Sequence, residues 1–188
     1  MPPDSTETKR RILAAARQEF AEFGLAGARI DRVAEHAAAN KRSIYAHFGP
    51  KEHLFDLVVA DALTTMAGDV QFNPDDLADY AGRLFDYLLA HPATLRLTVW
   101  ANLERPTTTT QEAQTYRTKT DALRGQYGDH AVDVLVLVLG LVTAWFSASP
   151  ALTSDSSITA TNSQTMTSRR TLMVQSVAAM TAPLRRQS

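Results

Sequence analysis

Between Asn40 and Phe55 the chain reads NKRSIYAHFGPKEHLF, and the side chains there that could do chemistry are Asn40, Lys41, Arg42, Ser43, Tyr45, His47 and Lys51. No pair of acids accompanies them, so the stretch is not equipped for general acid–base work. What these residue types share is a capacity to lie against a polyanion. Arg can pair bidentately with guanine, and Ser or Asn can donate or accept at several bases. A Lys there can equally sit on phosphate. Tyr45 can offer its hydroxyl to a phosphate or its ring to a thymine methyl. His47 and Lys51 fall one to two turns further on, where a neighbouring backbone would run, and the first turn of a helix around Lys51 would favour an anion.

Each of these residues also has a plainer reading. Lys41, Arg42, Ser43 and Tyr45 could form a solvated helix face, His47 could be an ordinary surface histidine, and Asn40 reads mainly as a cap. Lys9, Arg10 and Arg11 are either an arm on a duplex or a solvated start.

The elements that must position these side chains are helical. Ile12, Leu13, Ala16, Phe20 and Phe23 recur at helical spacing from Thr8 onward, and Gly24 stands where a left-handed cap would end that helix. Ile30, Val33, Ala34 and Ala37 give a second, short stripe that Ala38-Ala39-Asn40 interrupts. Asn40 then caps a third helix in which Ile44 and Phe48 share the inner face and Arg42 and Ala46 point away. Gly49 as N-cap, Pro50 at the first position and Glu52 at the third start a fourth, continued by Leu54, Phe55, Val58 and Ala62. The second and third helices make a helix-turn-helix, which reads DNA with the N-terminal part of its second helix in the major groove.

Beyond Gly68, Asn73-Pro74, His91-Pro92, Arg105-Pro106 and Gly128 punctuate helices expected at 75–90, 93–104, 108–125 and 129–148. The Ser/Thr-rich stretch from Thr153 to Ser168 reads as a loop. A last helix from Arg170 to Ala182 is stopped by Pro183. No internal repeat is present, which argues against a solenoid.

Composition narrows the class. The 188 residues are 45% hydrophobic and 21% charged, as in an ordinary soluble protein. With no cysteine there is no disulfide, thiolate nucleophile or zinc-thiolate site, which fits a reducing cytosol. The start MPPDSTETKRR carries no apolar run of the secretory type, so a cytoplasmic location is expected. The apolar run 134–148 is shorter than the roughly 18 residues of a minimal span and reads as a buried helix, with no membrane partner. Net charge is −1, which disfavours sequence-blind binding to nucleic acid, yet the first 55 residues carry nine Lys/Arg against seven Asp/Glu.

His36, His53, His91 and His130 have no partner at ligand spacing, so neither a metal nor another cofactor is expected. The hydroxyl residues crowd a loop, and no nucleophile elbow or phosphate-binding glycine loop is present. The chain is therefore expected not to be an enzyme.

The stretch ILAAARQEFAEFGLAGARIDRVAEHAAANKRSIYAHFGPKEHLFDLVV, residues 12–59, resembles the DNA-binding domain of the tetracycline-repressor (TetR) family of bacterial regulators. The most specific pieces are Phe20-x-x-x-Gly24, Ile30-x-x-Val33-Ala34, Ile44-Tyr45-x-x-Phe48 and Lys51-Glu52-x-Leu54-Phe55. The resemblance implies an all-helical homodimer whose divergent C-terminal domain binds a small effector that weakens operator binding. Three positions depart from the pattern: Ala38 stands where the turn usually has Gly, Arg29 where helix 2 usually has a Ser or Thr cap, and Pro50 replaces the frequent polar cap of helix 4.

The reading that follows is an all-α chain of about nine helices. Residues 1–55 form a helix-turn-helix DNA-binding domain whose fourth helix runs on to about 67, and 68–188 form a helical effector-binding and dimerisation domain. It is expected to be a dimeric transcriptional regulator, more a repressor than an activator, with a small apolar effector. The alternatives are a helix-turn-helix protein without effector, acting as activator or architectural protein, and a small helical enzyme. The DNA-contacting set is Arg29, Asn40, Lys41, Arg42, Ser43, Tyr45, His47 and Lys51. Phe85, Trp100, Tyr116 and Phe146 are candidates for an effector pocket, because ligand sites between helices are mostly apolar. Leu137, Leu141, Trp145, Leu172, Val177 and Met180 are candidates for a dimer interface, because 129–148 and 170–182 are more apolar than a one-sided surface helix requires.

Overall fold

The computed structural model describes residues 5–153 and 163–184. In chain order the helices are α1 Ser5–Gly27, α2 Ile30–His36, α3 Lys41–Phe48, α4 Lys51–Asp69, α5 Leu77–Ala90, α6 Pro92–Glu104, α7 Thr110–Tyr127, α8 Ala131–Ser147, α9 Pro150–Thr153 and α10 Ser163–Thr181, with 3-10 turns at Gly128–His130 and Ala182–Leu184. No strand occurs among the described residues. The punctuating Pro and Gly residues placed the ends of α5 to α8 within two residues. The last helix begins earlier than its apolar stripe suggested: Ser163 to Ser168, expected in a loop, already lie in α10, while 154–162 fall outside the described residues.

The chain divides into two compact units, Met1–Asp69 with Ala90–Ala113, and Val70–Leu89 with Gln114–Ser188. The sequence had assigned 93–104 to the C-terminal part. By packing, helix α6 lies with the first unit, because Leu97 and Ala101 enter one core with Ile12, Ala16, Phe20, Ile30, Val33, Ile44, Leu54, Phe55 and Val58. Phe20 and Phe55 meet edge to face there, with ring centroids 5.1 Å apart.

Helix α1 breaks at Gly24, which takes φ 68°, ψ −174°. Such a conformation suits a residue without Cβ, and α6 closes over it. The Arg96 guanidinium donates to the Ala21 and Glu22 carbonyls at 2.6 and 2.8 Å, capping the carbonyl end of the long segment. The Glu104 carboxylate accepts from the Leu25 and Ala26 N–H groups on the other side of the break. Arg17 adds a bond to the Thr94 hydroxyl at 2.9 Å. The α4 side is tied by Arg105, whose largely buried guanidinium bridges Asp56 at 3.4 Å and Glu112 at 2.6 Å.

In the second unit, α8 buries Ala131, Val134, Leu135, Val138 and Val142. Its opposite face leaves Val132, Val136 and Leu137 about half exposed, at 52%, 60% and 49%. One face of this run is thus core and the other, which carries the dimer candidate Leu137, is open in the single chain. The longer run Thr110–Ser147 is apolar enough by composition and length to cross a membrane. The 3-10 turn at Gly128–His130 divides it into two helices.

A Cβ on Gly24 would sit 2.8 Å from both Trp100 Cδ2 and a Glu104 carboxylate oxygen. Gly24→Ala therefore combines overpacking with a left-handed backbone, and it is expected to destabilise the first unit by about 2–4 kcal/mol in denaturant unfolding.

Candidate nucleic-acid interface

The candidate reading surface is the outer face of α3, and its start is fixed by Asn40. Asn40 has extended dihedrals and its Oδ1 accepts the Arg42 N–H at 2.8 Å, as an N-cap should. Ile44 and Phe48 enter the core, which leaves Lys41, Arg42, Tyr45 and His47 exposed and Ser43 half-buried. Arg42 has no acidic partner among the described residues. Lys41 does: its ammonium meets Asp31 Oδ1 at 2.8 Å across the helix-turn-helix, and that bond raises its pKa.

The turn before α3 closes α2 with bonds from Ala38 N–H to the Glu35 carbonyl at 3.0 Å and from Ala39 N–H to the Ala34 carbonyl at 2.9 Å. This is a Schellman ending, which puts one residue in the left-handed region. That residue is Ala38, at φ 47°, so the position usually filled by glycine keeps glycine's conformation without its freedom.

Arg29 stands exposed at the N-cap of α2 and makes no side-chain cap. Its backbone N–H donates instead to Glu19 Oε1 at 2.7 Å. Glu19 lies on α1, almost wholly buried, and also holds the Arg32 guanidinium at 2.6 Å. Arg32 reaches on to the Gly27 carbonyl at 3.1 Å and covers the Phe23 ring, 4.1 Å from its centroid. Burial alone would push the Glu19 carboxyl up. The hydrogen bonds from Arg32 and from the Arg29 N–H outweigh it, and the carboxyl titrates below the usual range. The sequence had offered Glu19 only as a polar position between apolar ones. An acid one residue before the core Phe20, ten residues ahead of an uncapped helix start, was the available signal.

Lys51 stands half-buried at the first position of α4, behind Pro50, whose carbonyl accepts the first α4 hydrogen bonds from His53 and Leu54. Pro50 rather than Gly49 is thus the N-cap. The Lys51 ammonium donates to the Ala28 carbonyl at 3.2 Å and the Ala26 carbonyl at 3.4 Å, so its first role is to tie α4 to the end of α1. Of Lys9, Arg10 and Arg11, Arg10 pairs with Glu7 at 2.7 Å within α1.

The described residues 12–58 match a family model described as bacterial regulatory proteins, tetR family, and residues 76–178 match one for the tetracyclin repressor-like C-terminal domain. The chain belongs to the TetR family. It is similar to the HTH-type transcriptional repressor SCO4008 of Streptomyces coelicolor, 48% identical over 101 residues, which is 54% of this chain and 53% of that one. It is also similar to the HTH-type transcriptional repressor NicS of Pseudomonas putida, 30% identical over 105 residues, covering 52% of this chain and 50% of that one. The chain thus spans about half the length of the curated relatives it matches. Among solved structures, SCO4942 from Streptomyces coelicolor superposes with a TM-score of 0.79 at 34% identity, over 93% of this chain and 98% of that one.

The effector candidates are only partly brought together. In this TetR-family chain Phe85 and Phe146 pack with centroids 5.3 Å apart. Trp100 belongs to the first unit, where it lies against Gly24, and Tyr116 is 40% exposed on α7. Trp100, half-buried on α6, thus also packs the α1 break at Gly24. Of the dimer candidates, Leu137 and Leu172 are exposed, and Leu141, Trp145 and Met180 are half-buried. Val177 is fully buried within its own chain and so is not on an open face.

Two outcomes are expected from this geometry. A left-handed conformation costs an L-residue about 1–2 kcal/mol, partly offset by the extra chain entropy of glycine, so Ala38→Gly should stabilise the protein by up to about 1 kcal/mol in denaturant unfolding. Glu19→Gln should destabilise it by about 1–3 kcal/mol at neutral pH. Because the folded-state pKa of Glu19 lies below its ordinary 4.5, its contribution is complete above that value and is lost as pH falls through the folded pKa. An acid unfolding series should show the two proteins converging in that window.

Proposed function

We propose that the chain is a transcriptional repressor that reads a pseudo-palindromic operator as a homodimer. The observation that carries this is the outer face of α3: a capped start at Asn40 followed by exposed Lys41, Arg42 and Tyr45, opposite the buried Ile44 and Phe48. Arg42 is the base-reading residue, with Asn40, Ser43 and Tyr45 as further base or backbone contacts. Arg29, Lys41, His47 and Lys51 serve the phosphates. The two-fold symmetry of a dimer sets the two α3 helices in successive major grooves, with half-sites about 34–36 Å apart or a multiple of that. The open stripe of α8 with Leu137, and α10 with Leu172, supplies a self-complementary apolar face for the second copy.

A small effector taken up by the second unit releases the operator, by binding more tightly to a dimer whose reading helices are wrongly spaced. The Phe85–Phe146 pair supports an apolar lining for it. Membership of a family of bacterial regulatory proteins supports a regulator rather than an enzyme, and a cytoplasmic location goes with that role.

Fluorescence anisotropy against DNA from beside the protein's own gene and against scrambled DNA, at two salt concentrations, tests the reading. Saturable binding to the first, much tighter than to the second, is expected. Equally weak, steeply salt-dependent binding to both would contradict it. Arg42→Ala should relax discrimination at one base position by about 1–3 kcal/mol, measured across single-base operator variants.

A further inference from the structure

Three of the six described basic side chains of the second unit are paired with an acid at close range. Arg83 pairs with Asp79 at 2.8 Å, Arg124 with Asp121 at 3.5 Å and Arg170 with Asp86 at 2.8 Å. Arg117, Lys119 and Arg169 have no ion pair among the described residues, and of these Lys119 on α7 is the one set against a hydroxyl and two rings. It is half-buried, and its ammonium has no carboxylate partner among the described residues. It donates to the Tyr80 hydroxyl of α5 at 3.0 Å and lies 5.4 Å from the Tyr80 ring centroid and 5.6 Å from that of Phe72. The two rings themselves meet edge to face at 5.0 Å.

Attraction to ring faces accounts for the place of the ammonium. It leaves the hydrogen-bond balance one-sided. An ammonium has three donors and no acceptor, and one of its N–H groups goes to Tyr80. That bond uses the phenol as acceptor, so the phenolic proton remains to be donated. Burial pushes the phenol up to about 12, so it stays protonated, and burial also draws the ammonium down. Two N–H groups of the half-buried Lys119 and the O–H of Tyr80, a residue only 1% exposed, are thus left with no acceptor among the described residues, beside Phe72. A charge-assisted acceptor fits such a set better than a neutral one, because each donor strengthens when its partner is anionic.

We propose that Lys119 and Tyr80, with Phe72 as apolar wall, form the recognition point of a small-molecule site for a carboxylate carried on a ring-bearing body. Lys119 supplies the charge and two hydrogen bonds, Tyr80 a third, and the Phe72 ring covers the ligand's apolar part. Ligand binding here stands independently of DNA; only its effect on operator affinity rests on the repressor reading. The effector class of this chain is thereby acidic and aromatic rather than purely apolar.

The full chain is titrated with sodium benzoate, with the neutral isostere benzamide, and with sodium chloride at matched ionic strength, by calorimetry. The same titrations are made on Lys119→Met, Lys119→Arg and Tyr80→Phe, each checked for helical content and thermal midpoint. Benzoate should bind about 10- to 100-fold tighter than benzamide to the wild type, the advantage of an ionised partner. Lys119→Met should erase that preference, Lys119→Arg should retain most of it, and Tyr80→Phe should reduce it. Equal binding of benzoate and benzamide, no saturable benzoate binding by the wild type, or an undiminished preference in folded Lys119→Met would each overturn the site. Operator anisotropy on the same preparation separates the two readings. DNA binding without benzoate binding removes only this site, and benzoate binding without DNA binding keeps the site and removes the repressor.

Discussion

The buried carboxylate of Glu19 is the interaction on which the reading unit depends. It lies on α1 in the core layer, yet it accepts the N–H at the start of α2 and the guanidinium one turn further along that helix. An uncapped helix start and a buried acid would each be unfavourable alone. Together they satisfy one another, and they fix the position of α2 against α1 by directional bonds rather than by apolar contact, which has no preferred direction. Helix α3 inherits that placement through the Schellman turn at Ala38.

The Gly24 break extends the same logic. A long helix with a left-handed residue inside it has free carbonyls on one side and free N–H groups on the other, and both need partners. Helix α6 brings Arg96 for the first and Glu104 for the second. Opposite charges thus stand where the two ends of a broken helix call for them. The consequence for organisation is that a segment far along the chain is structurally part of the reading unit.

The sequence made the helix-turn-helix legible because its signals are local. Helical spacing of Ile12, Ala16 and Phe20, the Asn40 cap and the outward placement of Arg42 each need only a few residues of context, and the structure agrees on all of them. Gly24 was equally readable as a left-handed residue, but not as a break with helix continuing beyond it. What escaped were interactions between distant residues. Nothing local distinguishes Glu19 from Glu22, or Lys119 from Arg117, and Trp100 reads as well into a ligand pocket as against Gly24. Apolar periodicity also reports which face of α10 is greasy without saying which greasy residue is taken by the chain's own core, as Val177 is. The Ser163–Ser168 turns were hidden by composition, since Ser and Thr suit loops better than helices until packing decides.

The pair between Lys41 and Asp31 carries a consequence for the physics of association. It is an exposed bond of 2.8 Å between a cation on the reading face and an acid on the preceding helix. Asp31 is in effect a tethered counter-ion. If a nucleic-acid phosphate took its place on Lys41, as proposed above, no free anion would depart, and the released carboxylate would stay beside the duplex and retain a mobile cation there. The number of ions expelled into solution is then smaller than the number of backbone contacts formed, and the entropic drive to bind falls with it. On the repressor reading proposed above, such a pair would shift binding away from indiscriminate attraction and toward the fit of α3.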